Sequence, residues 1–524
     1  MKFLFFGQNF SGTQLWLEAS VSAALKFRGH EALHVPCAPR AFGVCDVFNV
    51  DSPLGSRELA CSGPCTKQAE AIFRDLGIAS APLNSLWTPQ EADEAARWAS
   101  CVSGDEDLRQ VGYKGYPLFQ IAKWSAYRYL RRTDTVDPNG RDRWIFTEMM
   151  KNARVALDVA ERVLANFPFD AVLVWNGLNV TQRAAVEVAR RLHIPFYAFE
   201  VGLNKNTCVM AQNQTAVPWN FGRAWAEWEN RPLSEAQRIW IEEYLRSRER
   251  RENLSHPCGS GDPLEREELE ERLEIPPGAK IVPLFTNVTW DTTMEEVHRP
   301  FENQLRWIEA TCEFFATRPD HVCVIRIHPG EMLWGKWETR EPVWDLIRHL
   351  SFPPNVRIVR PETELDSYSL MRHASFGVPY ISTAGIELAC KGKPVITAGN
   401  GQYRGKGFTW DPESREHYAE LLRRLCCRPE APPNSEEMAK RYAYMFFRWA
   451  SQRLDFMEEP MHGVGKPLWR KVSDLAPGSF PCLDRIVDTV LGRRNFIPSP
   501  DEDEVGDSAV AGSGQEARLP FNLS

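Results

Sequence analysis

The sequence lacks three features that would assign a protein to a class directly: long apolar runs, an excess of basic charge and paired cysteine motifs. No stretch approaches the ~20 apolar residues of a spanning helix. The apolar start from Met1 to Gly7 is too short for a signal peptide. Lys and Arg number 62 against 70 Asp and Glu, a net charge of -8, so a basic nucleic-acid-binding surface is not expected. We expect a cytoplasmic protein without a nucleic acid partner, and peripheral contact with the inner membrane stays open.

The 13 cysteines show neither a disulfide framework nor a zinc motif. Cys61 and Cys65 form a single pair, and no second pair follows at zinc-like spacing. Others, such as Cys323 and Cys390, fall within predicted strands or helices, as reduced core thiols do. The sequence therefore predicts no metal and no cofactor.

Strands and helices alternate along most of the 524 residues. Residues 1–35 are predicted to form strand, glycine-bearing turn, helix and strand, and a second such unit spans 170–199. A further series has predicted strands at 281–286, 322–327, 356–359, 377–381 and 394–397. Its predicted helices are 297–317, 341–350, 364–374, 384–391 and 415–427. This alternation predicts parallel sheets covered on both faces.

The predicted fold class is α/β, with two facing Rossmann-like domains. The expected divisions are an N-terminal Rossmann-like domain (1–232), a helix and linker (233–276), a C-terminal Rossmann-like domain (277–430), helices crossing back (431–498) and a disordered tail (499–524). The charge run at 248–252 is interpreted as a solvated helix face. The sequence of residues 51–165 contains no motif that indicates a function.

Ligands of open α/β sheets bind beyond the carboxyl ends of the strands, so polar residues there are candidates. His328 follows a predicted strand that ends near Arg326, itself a candidate for donor binding. The near-neutral pKa of a histidine suits contact with a phosphate or a leaving group. Ser382 and Thr383 end another strand where a helix starts, an arrangement suited to binding an anion. Glu387, in the first turn, could reach ribose hydroxyls. The alternatives are a structural loop histidine and an ordinary helix cap.

Further candidates lie in glycine-bearing loops and at other strand ends. Gly385 and the loop with Tyr403 and Lys406 are predicted to bind the donor, the loop by close approach, stacking and charge, although a flexible surface loop is the alternative. Glu200 is a candidate general base that could equally hold nearby backbone or Lys205, and Asp291 ranks second. The predicted acceptor-side residues are Asn176, Gly177 and Gly202.

Together these motifs resemble the capsule polysaccharide synthesis family, which includes Kdo transferases, and more loosely other GT-B enzymes with His-Pro and Ser-Thr motifs. The resemblance is carried by Trp175-Asn176-Gly177, Glu200-x-Gly202 followed by Thr207, His328-Pro329, Ser382 to Glu387, and Gly392-Lys393-Pro394-Val395. The run from Leu203 to Asn206 departs from the family's arginine-proline run, which leaves the sugar and the acceptor open.

The resemblance implies a GT-B-like fold, in which residues 1–232 form the acceptor domain and residues 277–430 the nucleotide-sugar domain. It implies a metal-independent glycosyltransferase that moves a sugar from a nucleotide-activated donor, with CMP-linked acidic sugars favoured. The implied acceptor is a polysaccharide or glycolipid. Carried over to this sequence, His328, Ser382 and Thr383 would bind the donor phosphate and Glu387 would support the nucleotide. Alternatives are a nucleotide-sugar epimerase, a polyol-phosphate transferase or a non-catalytic assembly scaffold.

Overall fold

The computed structural model describes residues 1–7, 11–37, 44–45, 64–102, 104, 106–217, 219–252, 254, 262–333, 338–461 and 463–503. Cys61 and the predicted tail beyond residue 503 lie outside these residues. The chain divides into two compact units. Unit 1 comprises 1–217 and 450–496, and unit 2 comprises 218–449 and 497–524. Among the described residues, none of the helices combines the length and apolarity that crossing a bilayer requires.

Unit 1 contains a seven-stranded sheet with the order β13-β8-β7-β6-β1-β2-β3. Its strands are β1 (Lys2–Gly7), β2 (Glu31–Pro36), β3 (Ala79–Ser80), β6 (Ala171–Trp175), β7 (Phe196–Val201), β8 (Thr207–Gln212) and β13 (Gln452–Arg453). The five strands from β7 to β3 are parallel, and β8 and β13 add antiparallel pairings at one edge. Every residue of β6 is buried, as in a parallel strand covered on both faces.

The helices of unit 1 pack their apolar sides on this sheet. They are α1 (Gly12–Phe27), α2 (Pro64–Asp75), α3 (Pro89–Cys101), α4 (Leu118–Leu130), α5 (Arg143–Asn166), α6 (Val180–Arg191) and α17 (Pro481–Val490). Two hairpins complete the unit: β4 (Gly112–Tyr113) with β5 (Tyr116–Pro117), and β14 (Met457–Met461) with β15 (Val464–Pro467). The Ser11 side chain accepts from the Gln14 N–H and caps α1, which ends before Gly29 at φ +80°.

Unit 2 contains a four-stranded parallel sheet with the order β11-β10-β9-β12. Its strands are β9 (Lys280–Phe285), β10 (His321–Arg326), β11 (Val356–Val359) and β12 (Val378–Pro379). Its helices are α7 (Gly222–Trp228), α8 (Glu235–Glu249), α9 (Arg266–Arg272), α10 (Gln304–Phe315), α11 (Gly330–Leu333), α12 (Val343–Ile347), α13 (Ser367–His373), α14 (Ala384–Cys390), α15 (Arg415–Cys427) and α16 (Ser435–Tyr444). A π-helical segment, Met445–Ala450, follows α16.

The predicted α/β class, with a largely parallel, Rossmann-like sheet in each half of the chain, is confirmed. Several elements differ in extent. Residues 394–397, predicted as a strand, form only isolated bridges from Val395 and Ile396. Helix α10 begins at Gln304 rather than at 297, because Pro300 precedes the Asn303 side chain that caps it.

The divisions of the chain also differ from those expected. Residues 219–249 belong to unit 2, which begins at 218 instead of 277. The segment expected as crossing helices leaves unit 2 after residue 449 and continues in unit 1 as a strand, a hairpin and a helix. Strand β13 pairs with β8 through the register Gln452↔Cys208 and Arg453↔Thr207. The chain therefore rejoins the unit 1 sheet by pairing with a strand far earlier in the sequence.

Candidate active site

The carboxyl edge of the unit 2 sheet carries the two main motifs predicted from the sequence. His328 follows β10 and Ser382 follows β12, and both strands pair with β9. All three strands are parallel, so both residues lie at the same edge. Two strand spacings, about 10 Å, separate the axes of β10 and β12.

Two side chains after β9 connect these loops. The Thr286 hydroxyl accepts from the His328 N–H at 2.9 Å, and the Asn287 side-chain oxygen accepts from the Ile381 N–H at 3.2 Å. Gln304 in turn accepts from the Asn287 N–H at 2.6 Å and donates back to its carbonyl at 3.0 Å. The end of β9 therefore fixes the backbone of both motifs.

The ring of His328 has a defined orientation. Its Nδ1 accepts from the Gly330 N–H at 3.0 Å. An accepting Nδ1 carries no proton, so the proton of the neutral ring is on Nε2. His328 as a residue is half-buried at this edge of the sheet.

Ser382 and Thr383 differ in how their hydroxyl groups are used. The Ser382 hydroxyl accepts from the Ala384 N–H at 3.3 Å and keeps its own proton for a ligand. The Thr383 hydroxyl donates to Glu387 and accepts from Arg248, both at 3.3 Å. Its donor and acceptor functions are thus used within the protein, and Ser382 is the hydroxyl left for donor binding.

Glu387 is 3% exposed, and both oxygens of its carboxylate accept hydrogen bonds within the protein. It forms an ion pair with Arg248 at 3.0 Å and accepts from the Tyr368 hydroxyl at 2.6 Å. Burial alone would lower the pKa of Arg248, but the Glu387 carboxylate holds it well above its usual value. The role of Glu387 observed here is to bind Arg248, Tyr368 and Thr383 rather than a ribose.

Three other predicted donor-binding residues are buried. Arg326 is 2% exposed and donates to the Arg360 carbonyl at 2.7 Å. Tyr403 is fully buried and donates to the Ser382 carbonyl at 2.9 Å. A Cβ added at Gly385 would lie 2.3 Å from the Tyr403 hydroxyl, so this glycine allows close packing of Tyr403. Tyr403 and Gly385 thus support the loop that carries Ser382, and Arg326 supports the chain that follows β11.

Lys406 and Asp291 lie in other loops of unit 2. Burial lowers the pKa of Lys406, which is partly buried. Asp291 caps a short 3-10 turn, Thr292–Met294, by accepting from the Thr293 N–H at 2.8 Å. Within the described ranges, no three His, Cys, Asp or Glu side chains group as metal ligands would.

In unit 1 the predicted acceptor-side residues meet at the carboxyl ends of β6 and β7. The Asn176 side-chain amide donates to one oxygen of Glu200, and the Val201 N–H donates to the other at 2.8 Å. Asn176 is buried and has φ +60°. The Glu200 carboxylate is therefore held in place at this edge of the unit 1 sheet.

The two glycines at this edge are needed for different reasons, one conformational and one steric. Gly177 has φ +86°, a conformation that other residues adopt at a cost. A Cβ at Gly202 would lie 2.1 Å from the Thr207 hydroxyl and 2.2 Å from that of Ser451. Gly202 therefore has a packing role, and Thr207, part of the same motif, packs against it.

The sequence interpretation missed Arg248 and Asn287. Arg248 belongs to the charge run interpreted as a solvated face, but it is 8% exposed. Its neighbours form ion pairs with the same part of unit 2, Glu249 with Lys391 and Arg251 with Asp366. The one available signal was the position of Arg248 in α8, four residues after the buried Tyr244, which places both side chains on the same helix face.

Comparisons with solved structures give weak similarities. A β-Kdo 2,4 transferase, KpsC of Thermosulfurimonas dismutans, is 15% identical over 60% of this chain and 95% of its own, with a TM-score of 0.35. The UDP-GlcNAc 2-epimerase of Neisseria meningitidis is 14% identical over 85% of this chain and 96% of its own, with a TM-score of 0.25. Among curated proteins, no sequence matches this chain.

A match to a family model covers much of unit 2. Residues 264–425 match the family described as "Capsule polysaccharide biosynthesis protein". This segment contains all four strands of the unit 2 sheet, His328 and Ser382. The resemblance predicted from the motifs is thereby confirmed: over residues 264–425, the chain is similar to capsule polysaccharide biosynthesis proteins.

Proposed function

We propose that the chain is a glycosyltransferase of capsule polysaccharide assembly, with its nucleotide-sugar donor bound at the carboxyl edge of the unit 2 sheet. The observation that carries this proposal is the position of His328 and Ser382 on either side of β9, with their loops tied to Thr286 and Asn287. Both residues lie within the segment that matches the capsule family.

In this proposal, His328 Nε2–H and the Ser382 hydroxyl donate to phosphate oxygens of the donor. The bond between the sugar's anomeric carbon and the phosphate oxygen breaks, and the charge left on the nucleotide is stabilised by these donors. An acceptor hydroxyl forms the new bond, and its proton passes to a carboxylate, for which Glu200 is our first candidate and Asp291 the second. The reaction needs no metal. A CMP-linked acidic sugar is the favoured donor, and a polysaccharide or glycolipid the acceptor.

The decisive experiment compares His328→Ala and Ser382→Ala with His349→Ala. His349 is an exposed histidine in the loop before β11, at the opposite edge of the same sheet. We expect the first two variants to lose transfer about 100-fold or more, because removing one hydrogen-bond donor to a developing negative charge typically costs that much. His349→Ala should retain normal transfer. Wild-type activity in His328→Ala and Ser382→Ala would refute the proposed site.

Nucleotide binding separates the proposal from its alternatives. Calorimetric titration with CMP, UDP and CDP, with and without EDTA, should give binding of CMP that EDTA leaves unchanged. Conversion of a UDP-linked sugar without an acceptor would indicate an epimerase. Transfer from a CDP-linked polyol would indicate a polyol-phosphate transferase. Absence of binding to all three nucleotides would indicate a scaffold.

A further inference from the structure

Helix α8 contributes a buried cation to the loop that carries Ser382. Arg248, in the last turn of α8, donates from the same nitrogen, Nη2, to Glu387 at 3.0 Å and to Thr383 at 3.3 Å. Its guanidinium also lies 5.1 Å from the ring of Phe447. Arg248 precedes residues 264–425, so this contact lies outside the segment that matches the family.

The contact fixes Thr383 from two sides. Arg248 donates to its hydroxyl oxygen, and that hydroxyl donates to Glu387, which also accepts from Tyr368. Thr383 is bonded to Ser382 and precedes α14, so its side chain sets the direction in which the chain leaves β12. Without these bonds the turn after Ser382 would be held by fewer contacts, and the Ser382 hydroxyl would be positioned less precisely for a phosphate.

We propose that Arg248 is a positioning residue for donor binding. Together with Glu387 it orients Thr383, so that Ser382 presents its hydroxyl to the donor phosphate. This inference rests on the proposed function of Ser382. It assigns no contact between Arg248 and the donor, and it predicts an effect on donor binding alone.

The test must separate positioning from stability. Removing one partner of a buried ion pair is strongly destabilising, whereas replacing both with apolar residues is often neutral. The principal variant is therefore the double substitution Arg248→Met with Glu387→Met. The matched control is Glu249→Gln with Lys391→Gln, which removes an ion pair between the same two helices without touching Thr383.

We expect the Met variant to raise the donor KM at least tenfold while the acceptor KM stays within twofold. The control should change neither. Thr383→Val, which keeps the shape but removes the hydroxyl, should raise the donor KM similarly. Adding Thr383→Val to the Met variant should produce no further increase, because both remove the same interaction. Thr383→Val also keeps the inference testable if the double Met variant fails to fold.

The outcomes distinguish this inference from the proposed function. If Ser382→Ala raises the donor KM but the Met variant and Thr383→Val do not, the positioning role is refuted and the donor site stands. An equal rise in the control would also overturn the role, because it would reflect helix docking in general. If Ser382→Ala and His328→Ala leave donor binding unchanged, the donor site itself is refuted.

Discussion

The contact between Gly385 and Tyr403 shows how a fully buried residue can control the candidate site. The Tyr403 hydroxyl donates to the Ser382 carbonyl and occupies the space that a side chain at position 385 would need. We expect Gly385→Ala to lower the free energy of unfolding by about 1–3 kcal/mol, the usual effect of overpacking, and to weaken nucleotide binding. Urea unfolding and calorimetry measure the two effects. Gly401→Ala is the control, because its Cβ would be 3.4 Å from its nearest neighbours. Equal stability of the two variants would contradict this account.

A second residue-scale feature is the buried cluster of Glu18, His34 and Ser22 in unit 1. Burial raises the pKa of Glu18 to about 7, and burial lowers the pKa of His34 to about 3. The His34 ring stacks on Phe5, and its Nε2 lies 2.6 Å from the Ser22 hydroxyl. Both groups are therefore neutral in the folded protein near pH 5, whereas the unfolded chain carries the two opposite charges.

These shifts have opposite effects on stability. Because the pKa of Glu18 is higher in the folded protein than in the unfolded chain, Glu18 stabilises the fold fully below pH 4.5. This stabilisation is lost as the pH rises towards 7. Because the pKa of His34 is lower in the folded protein than in the unfolded chain, His34 stabilises the fold fully above pH 6.5. This stabilisation is lost as the pH falls towards 3. Between pH 4.5 and 6.5 the free energy of unfolding falls with pH because of Glu18 and rises with pH because of His34, so the two changes cancel.

We therefore expect Glu18→Gln to gain stability relative to the wild type as the pH rises from 4.5 to 7, by up to about 3 kcal/mol. The variant keeps the side-chain volume but does not titrate. Chemical unfolding at several pH values measures this difference. Glu31→Gln, at a carboxylate whose side chain is 74% exposed, should show no comparable trend. Parallel stability curves for Glu18→Gln and the wild type would show that Glu18 ionises normally in the fold.

At the scale of elements, the β14–β15 hairpin depends on one buried carboxylate. Glu459 accepts from the Thr13 hydroxyl at 2.8 Å and from the backbone N–H groups of Gly463 at 2.7 Å and Asn206 at 3.2 Å. It thus joins the hairpin to the start of α1 and the chain before β8. We expect Glu459→Ala to cost about 2–4 kcal/mol of stability, because it leaves one buried and two half-buried donors without their acceptor. Thermal unfolding should show no such loss for Glu458→Ala, at the exposed neighbouring position in the same hairpin. Similar losses in both variants would contradict the role of Glu459.

The elements predicted correctly are those with strong local signals. The apolar run of β10 and the amphipathic pattern of α6 needed no information from distant residues. By contrast, β12 has two residues and β13 exists only because Gln452 and Arg453 pair with β8, far earlier in the chain. The same holds for the site. His328 and Ser382 were predicted from their place at strand ends, whereas the burial of Arg248 and Tyr403 depends on packing between segments distant in sequence.

At the scale of the whole molecule, each unit has its own sheet, and the proposal assigns the donor to unit 2. Saturating CMP should therefore slow amide hydrogen exchange at 286–291, 327–331 and 380–387, and leave the unit 1 loop at 200–206 unchanged. At a ligand concentration of 100 times Kd, binding stabilises the native state by about 2.7 kcal/mol, enough to slow exchange about 100-fold where opening of the site limits it. Ser382→Ala should remove this protection, and Glu459→Ala should not, since Glu459 lies in unit 1. Protection confined to the unit 1 loop would reverse the assignment of the donor, because a nucleotide protects the amides of the unit that binds it.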